Sequence, residues 1–393
     1  MRLRGTLIAV AFVGILGCSS EDRGLPAFKE AKQKAAERHQ PMLVEFTTDK
    51  CPECARAVQI STIDADVRAA LERVSFVRID VKSEEGQLLA TRYKIGIRLP
   101  AYILADAEGR EITRWTSVAN ATAFARQLSR ATSDLTTIET RLERMNSAPS
   151  LDDALVLGAH FMSTQELPLA AEYYHKADLL NADKKKNLKF EVFEAMANAV
   201  WFGQAQFDEA EKAADDVISG GYRPMIDPVR VAHVIGDLAR KTGHTDRIAK
   251  YMRIAYEKVG EPTDDNTRKI RAGILADLQL YGDHDTLQAI ETKRGSFGPA
   301  FRRTPLDEVD FADWCASRGV NLDQAEATMN RFLQESPPQG RSVAVLQFAL
   351  AKIARARGDL TAAMAYAGQA VDSDPQNPIM VNYLKQLQED NRP

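Results

Sequence analysis

One stretch near the start of the chain, residues 42–54 with the sequence MLVEFTTDKCPEC, constrains the fold more than any other. Its apolar first part, residues 42–46, predicts a short β-strand, and the polar residues that follow predict a turn. The pair Cys51 and Cys54 would then open a helix, with Pro52 in the first turn, where its missing N–H would be unpaired anyway. Unpaired backbone N–H groups and the positive end of the helix dipole favour a thiolate there. The stretch therefore predicts a cysteine pair placed for disulfide exchange.

The first eighteen residues have the organisation of a secretory signal. Arg2 and Arg4 precede an uncharged apolar run, residues 6–17, and Cys18 follows at once. Such a run rises about 18 Å as a helix, too little to cross a hydrocarbon core of about 30 Å. Residues 15–18, Ile-Leu-Gly-Cys, resemble the bacterial lipobox, in which the cysteine is lipidated and begins the mature protein. The alternative is an ordinary signal peptide followed by a chance cysteine.

The lipobox resemblance implies a lipoprotein signal peptide at residues 1–17, a tether at residues 18–24 and a membrane anchor on Cys18. Several acyl chains hold a protein on a membrane where one does not. The expected location is the cell envelope, on the periplasmic side. Ser19 after the cysteine, rather than aspartate, resembles lipoproteins that are sent to the outer membrane. No later segment approaches eighteen consecutive apolar residues, so no membrane-spanning helix is predicted.

Length and charge limit the number of domains and the class of partner. The 393 residues exceed what one hydrophobic core usually serves, so two domains are expected. The net charge is −4, with acidic and basic residues interspersed and no basic stripe, which argues against nucleic acid as a partner.

Residues 25–131 alternate helical and strand patterns in the order α-β-α-β-α-β-β-α. This order predicts a mixed α/β domain of ordinary size.

The α/β segment resembles the thioredoxin fold over nearly its full length. It looks closest to the periplasmic C-terminal domain of the thiol:disulfide interchange reductase DsbD. Three features carry the resemblance: Glu45 six residues before the first cysteine, the pair Cys51 and Cys54, and Pro100 at the start of a strand after the third helix. A lone Cys-x-x-Cys could also be half of a zinc site, but no second cysteine or histidine pair completes four ligands. The sequence also has no phosphate loop, so neither a metal nor a cofactor is predicted.

The resemblance implies a role for each matching residue. Cys51 would be the attacking thiolate, and Cys54 would resolve the mixed disulfide. Glu45 would take the proton from Cys54, and burial would raise its pKa for that purpose. The alternative for Glu45 is a solvent-facing strand residue, since strand alternation puts it opposite its apolar neighbour and one face of the sheet is expected to be wet. Pro100 would be a cis-proline beside the disulfide, with Leu99 offering backbone groups to an extended substrate.

Two neighbours of the cysteines depart from the thioredoxin pattern. Lys50 stands where thioredoxins usually have tryptophan, and Glu53 stands between the cysteines. Lys50 would lower the pKa of Cys51, whereas Glu53 would raise it through repulsion between like charges. A less stabilised thiolate disfavours the dithiol relative to the disulfide, so the pair is expected to reduce other proteins rather than oxidise them.

Residues 132–393 are rich in alanine and show helical periodicity. Small or apolar anchor residues recur at spacings of 38 to 40: Ala170, Ala210, Ile248, Leu287, Ala325 and Ala363. The repeat copy that contains Leu287 matches the pattern of the other copies least well. These offsets resemble those of the tetratricopeptide repeat, although the period is longer. Gly158 and Gly236 are placed where packed helices would approach closely. Stacked helix pairs would leave a concave binding face. An irregular helical bundle is the alternative.

The sequence therefore predicts an α/β thioredoxin fold followed by an all-α tetratricopeptide-like solenoid. The favoured function is an envelope-anchored thiol–disulfide oxidoreductase, a reductant acting on protein thiols and disulfides. Its helical repeats would bind clients or a redox partner, and a membrane electron donor such as a DsbD-like reductase would recharge it. The alternative is a holdase chaperone or assembly scaffold, as in the cytosolic chaperedoxins, with accessory redox activity. Cys315 is expected to be a packed small residue, with a free reactive thiol as the alternative.

Overall fold

The computed structural model describes residues 23–49, 51–96, 99–116, 119–183, 188–220, 223, 226–299, 303–335, 341–375 and 377–391. The predicted signal peptide, residues 1–17, lies outside these ranges, and so do Cys18, Ser19 and Lys50. The chain forms two compact units, one ending at Ile138 and the other beginning at Glu139. None of the helices in the described ranges is long and apolar enough to cross a membrane.

The first unit is built on a four-stranded sheet in the order β2-β1-β3-β4. The strands are β1 (Met42–Thr47), β2 (Ser75–Asp80), β3 (Ala101–Ala105) and β4 (Glu111–Thr116). Strand β1 pairs parallel with β2 and antiparallel with β3, and β3 pairs antiparallel with β4. The sheet is therefore mixed, with β1 and β3 at its centre.

Helices cover both faces of this sheet: α1 (Pro26–Arg38), α2 (Pro52–Ile63), α3 (Ala65–Leu71), α4 (Glu84–Arg92) and α5 (Ala121–Ala131). One hydrophobic cluster joins Val44 of β1 to Phe28 of α1 and Leu89 of α4. The other joins Leu43 of β1 to residues of α3 and α5 such as Leu128. Because consecutive side chains of β1 enter opposite clusters, the strand is buried along both faces.

The observed elements follow the predicted order except after β1, where two helices replace one. Asp64 ends α2, and its side chain accepts a hydrogen bond at 3.1 Å from the Val67 N–H of α3. Aspartate is a preferred N-cap because its oxygen satisfies an N–H group that the new helix leaves unpaired. This cap explains why the chain breaks at Asp64 and starts a second helix at once.

The second unit is all-helical throughout its described residues. Its helices are α6 (Ile138–Ser147), α7 (Leu151–Ser163), α8 (Leu167–Leu180), α9 (Lys189–Trp201), α10 (Phe207–Gly220), α11 (Ile226–Thr242), α12 (Ile248–Val259), α13 (Asp265–Tyr281), α14 (Thr286–Gly295), α15 (Pro305–Arg318), α16 (Leu322–Glu335), α17 (Arg341–Ala356), α18 (Leu360–Ser373) and α19 (Pro378–Asp390). Neighbouring helices pack in sequence, as α7 does on α8 and α17 on α18, and α9 also packs on α11 and α15 on α17. Successive helix pairs therefore stack on one another.

Five of the six predicted anchor residues are buried in the second helix of a pair: Ala170, Ala210, Ile248, Ala325 and Ala363. The prediction was wrong for Leu287, whose exposed fraction is 76%. Ala289, two positions later in α14, is the fully buried residue of that helix. The fourth copy therefore has its buried residue shifted along the helix by two positions.

Gly158 of α7 allows a close approach to α8, and its replacement by alanine is expected to destabilise the helical unit. A Cβ at this position would lie 2.7 Å from the ring of Tyr174. Relieving such an overlap typically costs about 2 kcal/mol of unfolding free energy, which urea denaturation would measure. The control is Gly368→Ala in α18, where a Cβ meets no described atom within 4 Å. That variant should gain up to about 1 kcal/mol, because alanine is the better helix former. Equal destabilisation of both variants would contradict the proposed close packing.

Candidate functional site

The two cysteines lie at the start of α2, as the local sequence pattern requires. Cys51 is the N-cap of the helix and Pro52 is its first residue. The Cys54 N–H donates to Cys51 Sγ at 3.1 Å, and the two cysteines form a disulfide with their Cα atoms 5.1 Å apart. Cys54 is 1% exposed, whereas Cys51 is partly exposed. Cys51 is therefore the sulfur of this pair that a second molecule reaches first.

The loop before β3 borders the disulfide. The Leu99–Pro100 peptide bond is cis, and Cys51 Sγ lies 3.6 Å from the Leu99 carbonyl oxygen. Pro100 is buried, while Leu99 is partly exposed. The structure thus brings together four of the predicted site residues, namely the two cysteines, Leu99 and Pro100, although they come from segments almost fifty residues apart.

Glu45 lies on β1 with its carboxylate 1% exposed. Arg78 Nε of β2 donates to Glu45 Oε2 at 2.7 Å, and the Tyr102 hydroxyl of β3 donates to Glu45 Oε1 at 3.3 Å. Both partners stand directly opposite Glu45 in the register of the sheet. Arg78 also donates to Ser61 Oγ of α2 at 2.9 Å, so the network extends to the helix that carries the cysteines. The expectation that one face of β1 would be wet was wrong, because helices cover both faces.

Burial decides the acid–base behaviour of Glu45. Loss of solvation raises its pKa above the ordinary value, and the charge and hydrogen bond of Arg78 act in the opposite direction without cancelling the effect. Burial and the neighbouring Glu45 carboxylate also raise the pKa of Tyr102, which therefore remains a hydrogen-bond donor at neutral pH. Glu45 accepts a proton more readily than a solvent-exposed glutamate, which is the property that a proton carrier inside a domain needs.

The partners of Glu45 were not identified from the sequence. In the sequence alone, Arg78 is one of two polar residues in the stretch 76–81, and Tyr102 is one residue of a mostly apolar stretch. Their contacts depend on which strands are neighbours and on their register, and neither follows from the sequence of a single strand.

Residues 24–107 match a family model described as thioredoxin-like. This segment contains the strand before the cysteines, the Cys51–Cys54 pair, the cis peptide bond at Pro100 and the whole of β3. The N-terminal domain is thioredoxin-like. No curated protein matches the chain.

Glu53 of the thioredoxin-like domain is exposed and forms an ion pair with Arg56, one turn later in α2, at 2.5 Å. This neighbouring cation offsets part of the repulsion that Glu53 would exert on a Cys51 thiolate. The predicted effect of Glu53 on the pKa of Cys51 stays a prediction.

The free cysteine Cys315 has the environment of a packed residue. It is fully buried in α15 beside Trp314, and burial raises the pKa of its thiol to about 11. A thiol with such a high pKa is almost entirely protonated at neutral pH and is a poor nucleophile. In the described part of the chain, no group of three or more histidine, cysteine, aspartate or glutamate side chains is arranged to hold a metal ion.

Proposed function

We propose that this protein is an envelope-anchored thiol–disulfide oxidoreductase that reduces disulfides in other proteins. The observation that carries the proposal is the Cys51–Cys54 pair at the start of α2, with Cys51 against the carbonyl group of a cis Leu99–Pro100 bond in a thioredoxin-like domain. The partly exposed sulfur, that of Cys51, is at a helix N-terminus, where the thiolate is favoured. The sulfur of Cys54 is buried one turn behind it.

The reaction begins from the dithiol form. The Cys51 thiolate attacks one sulfur of a substrate disulfide, which forms a mixed disulfide and releases the other substrate sulfur as a thiolate. Glu45 accepts the proton of Cys54, and the resulting Cys54 thiolate attacks Cys51 Sγ. The substrate leaves with both of its sulfurs reduced, and the protein retains the Cys51–Cys54 disulfide. Two electrons have then passed from the protein to the substrate.

The same N–H group that contacts Cys51 in the disulfide form supports the attacking step. The Cys54 N–H donates to Cys51 Sγ, and a hydrogen bond to a thiolate lowers the pKa of the corresponding thiol. The carbonyl group of Leu99 lies beside the same sulfur and would accept a hydrogen bond from an extended substrate backbone. Lys50 would add a positive charge on the N-terminal side of Cys51.

The remaining parts of the proposal concern the place of the reaction and its partners. Lipidation of Cys18 would hold the protein at the membrane, with the outer membrane as the favoured site. A membrane electron donor similar to the reductase DsbD would return the Cys51–Cys54 disulfide to the dithiol. The helical unit, as a tetratricopeptide-like array, would bind the clients or this donor.

The second candidate is a holdase chaperone or assembly scaffold with accessory redox activity. The observation that favours it is the size of the helical unit, which begins at Glu139 and takes up more of the chain than the thioredoxin-like domain. In this case, client binding would persist when both cysteines of the pair are replaced.

The test of the proposed function is a Cys54→Ser variant expressed in a bacterial envelope. The variant can form the mixed disulfide but lacks the thiol that resolves it, so substrate proteins should accumulate on Cys51 as bands that disappear on reduction. The matched control is Cys51→Ser/Cys54→Ser, which should show none of these bands. Absence of trapped partners, combined with proteins that co-purify equally with the double variant, would favour the scaffold instead. A redox titration tests the direction: a potential as oxidising as that of a strong dithiol oxidant would contradict the reductant assignment.

A further inference from the structure

The helical unit contains a large open groove, here called the inner groove, with a volume of about 1300 Å³. Its walls come mainly from alternate helices: α9, α11, α13, α15, α17 and α19. Representative lining residues are Trp201, Lys241, Lys269, Asp277, Arg355 and Tyr383. Small-molecule pockets usually occupy about 300–1,000 Å³ and enclose their ligand. The size and open form of the inner groove therefore suit a segment of a macromolecule.

The inner groove carries positive charge on a negatively charged protein. Its described lining includes seven lysine or arginine side chains and four aspartate side chains, whereas the whole chain has a net charge of −4. Four of the cations are paired with those aspartates, as Arg318 is with Asp277 and Lys352 with Asp313. Of the three remaining cations, Lys269 is paired with Asp307, a carboxylate outside the groove lining, so the excess comes from Lys241 and Arg355.

Lys241 and Arg355 are the clearest part of this excess. Lys241 Nζ donates to the Trp201 carbonyl oxygen at 2.5 Å and lies 4.1 Å from the centre of the Trp201 ring system. Burial and the positive charge of Arg355 lower the pKa of Lys241. Arg355 has a carboxylate partner, Asp390, that is not part of the groove lining. Two cations that repel each other across a groove would both be stabilised by an anionic ligand placed between them.

Apolar side chains accompany these cations. Trp201 is 43% exposed and Ile379 is 68% exposed, and both line the inner groove. Trp201 also borders a smaller cavity of about 260 Å³, whose lining from α9 and α11 includes apolar residues such as Phe193 and Leu238 beside polar ones such as Glu194. A single exposed apolar residue is ordinary, but aromatic groups beside excess cations suit a ligand with both apolar and anionic groups.

We propose that the inner groove binds an extended, acidic segment of another polypeptide, with its carboxylates near Lys241 and Arg355 and an apolar side chain beside Trp201. This inference rests on the proposed function and deepens it, because it names the chemistry by which the helical unit selects clients or a redox partner. A nucleic acid fits less well, since its unbroken row of phosphates would face the aspartates of the same groove, whereas a peptide can space its carboxylates between them.

The test is direct binding to the purified protein, measured by fluorescence anisotropy. The probe is a fluorescein-labelled, unstructured peptide in which glutamate alternates with serine and leucine stands at both ends. We expect the peptide to bind more weakly as salt is added. Its counterpart with glutamine in place of glutamate should bind at least about tenfold more weakly, as should the glutamate peptide to the variant Lys241→Gln/Arg355→Gln.

The matched control is Lys212→Gln/Arg253→Gln, which removes two exposed cations from α10 and α12, outside the groove lining. It should bind the glutamate peptide as the unaltered protein does. Equal affinity for the glutamate and glutamine peptides would overturn the inference, and so would equal or tighter binding of a short single-stranded DNA. Insulin reduction by the unaltered protein separates the two proposals. A protein that reduces insulin but shows no charge-dependent peptide binding would overturn this inference alone, whereas one that binds the glutamate peptide but leaves insulin intact would contradict the proposed function.

Discussion

Replacement of Cys51 by serine is expected to abolish the reduction of insulin disulfides by this protein, with dithiothreitol as the electron source. Cys51 is the partly exposed sulfur at the start of α2, and Cys54 behind it is 1% exposed. A serine hydroxyl remains protonated at neutral pH and cannot form a disulfide, so no mixed disulfide would arise. The turbidity assay for reduced insulin should fall to the rate of dithiothreitol alone.

Cys315→Ser is the matched control for this loss. Its thiol is buried in α15, and its pKa is raised to about 11, so it takes no part in exchange. The variant should reduce insulin at the rate of the unaltered protein, provided that circular dichroism shows a folded helical unit. Substantial activity in Cys51→Ser would place the attacking sulfur elsewhere and would refute the mechanism proposed here.

Glu45→Gln is expected to slow the second step, the attack of Cys54 on the mixed disulfide, by about 100-fold at neutral pH. A positioned general base commonly contributes about 10² to 10⁴ in rate, and glutamine retains the shape of the side chain without its basicity. Single-turnover kinetics, with the mixed disulfide separated from the product by acid quenching, would measure this step. Formation of the mixed disulfide should change far less, because Cys51 carries its own activating environment.

The pH dependence of the second step tests the role of Glu45 more sharply than the rate alone. The defect in Glu45→Gln should shrink as the pH approaches about 8.5, where a cysteine thiol ionises without help. Replacing Arg78 by methionine should raise the pKa of Glu45 further, because the arginine charge and hydrogen bond favour the carboxylate. A carbon-13 titration of the Glu45 carboxyl would show the direction. A constant defect at every pH would assign Glu45 a structural role only.

The raised pKa of Glu45 also affects stability. In the unfolded chain, the carboxyl ionises near its ordinary value of 4.5, and in the folded domain it ionises at higher pH. The stability gained from the protonated carboxyl is complete below the unfolded pKa and is lost as the pH rises through the folded pKa. Glu45→Gln should remove this contribution. As the pH is raised from the unfolded pKa through the folded pKa, the unfolding free energy of the variant should therefore fall less than that of the parent protein.

Local features of the thioredoxin-like domain could be predicted from the sequence because they depend on neighbouring residues. A run of apolar residues, a turn and Cys-x-x-Cys specify the strand and the helix that follows it, whatever the rest of the chain does. The surroundings of Glu45 could not be predicted in this way. Its burial follows from the central place of β1 in the sheet, and its partners Arg78 and Tyr102 follow from the register of two further strands.

The helical unit shows the same division between local pattern and tertiary contact. The period of small residues correctly placed five buried anchors, because each stacked helix pair needs a close contact at an equivalent position. The same period predicted burial of the wrong residue in the fourth copy. Leu287 is large and apolar but exposed, and the smaller Ala289 faces the core. The charged inner groove was also missed, since its cations lie on separate helices and form a cluster only once the pairs have stacked.

The isolation of Cys315 provides a chemical measure of whether the helical unit is folded. With the Cys51–Cys54 disulfide intact, Cys315 is the remaining thiol among the described cysteines, and it is fully buried. A thiol reagent added to the oxidised protein would therefore modify this residue only in molecules whose α15 has opened. The rate of labelling would then report the population of the opened state, independently of the redox reaction in the other domain.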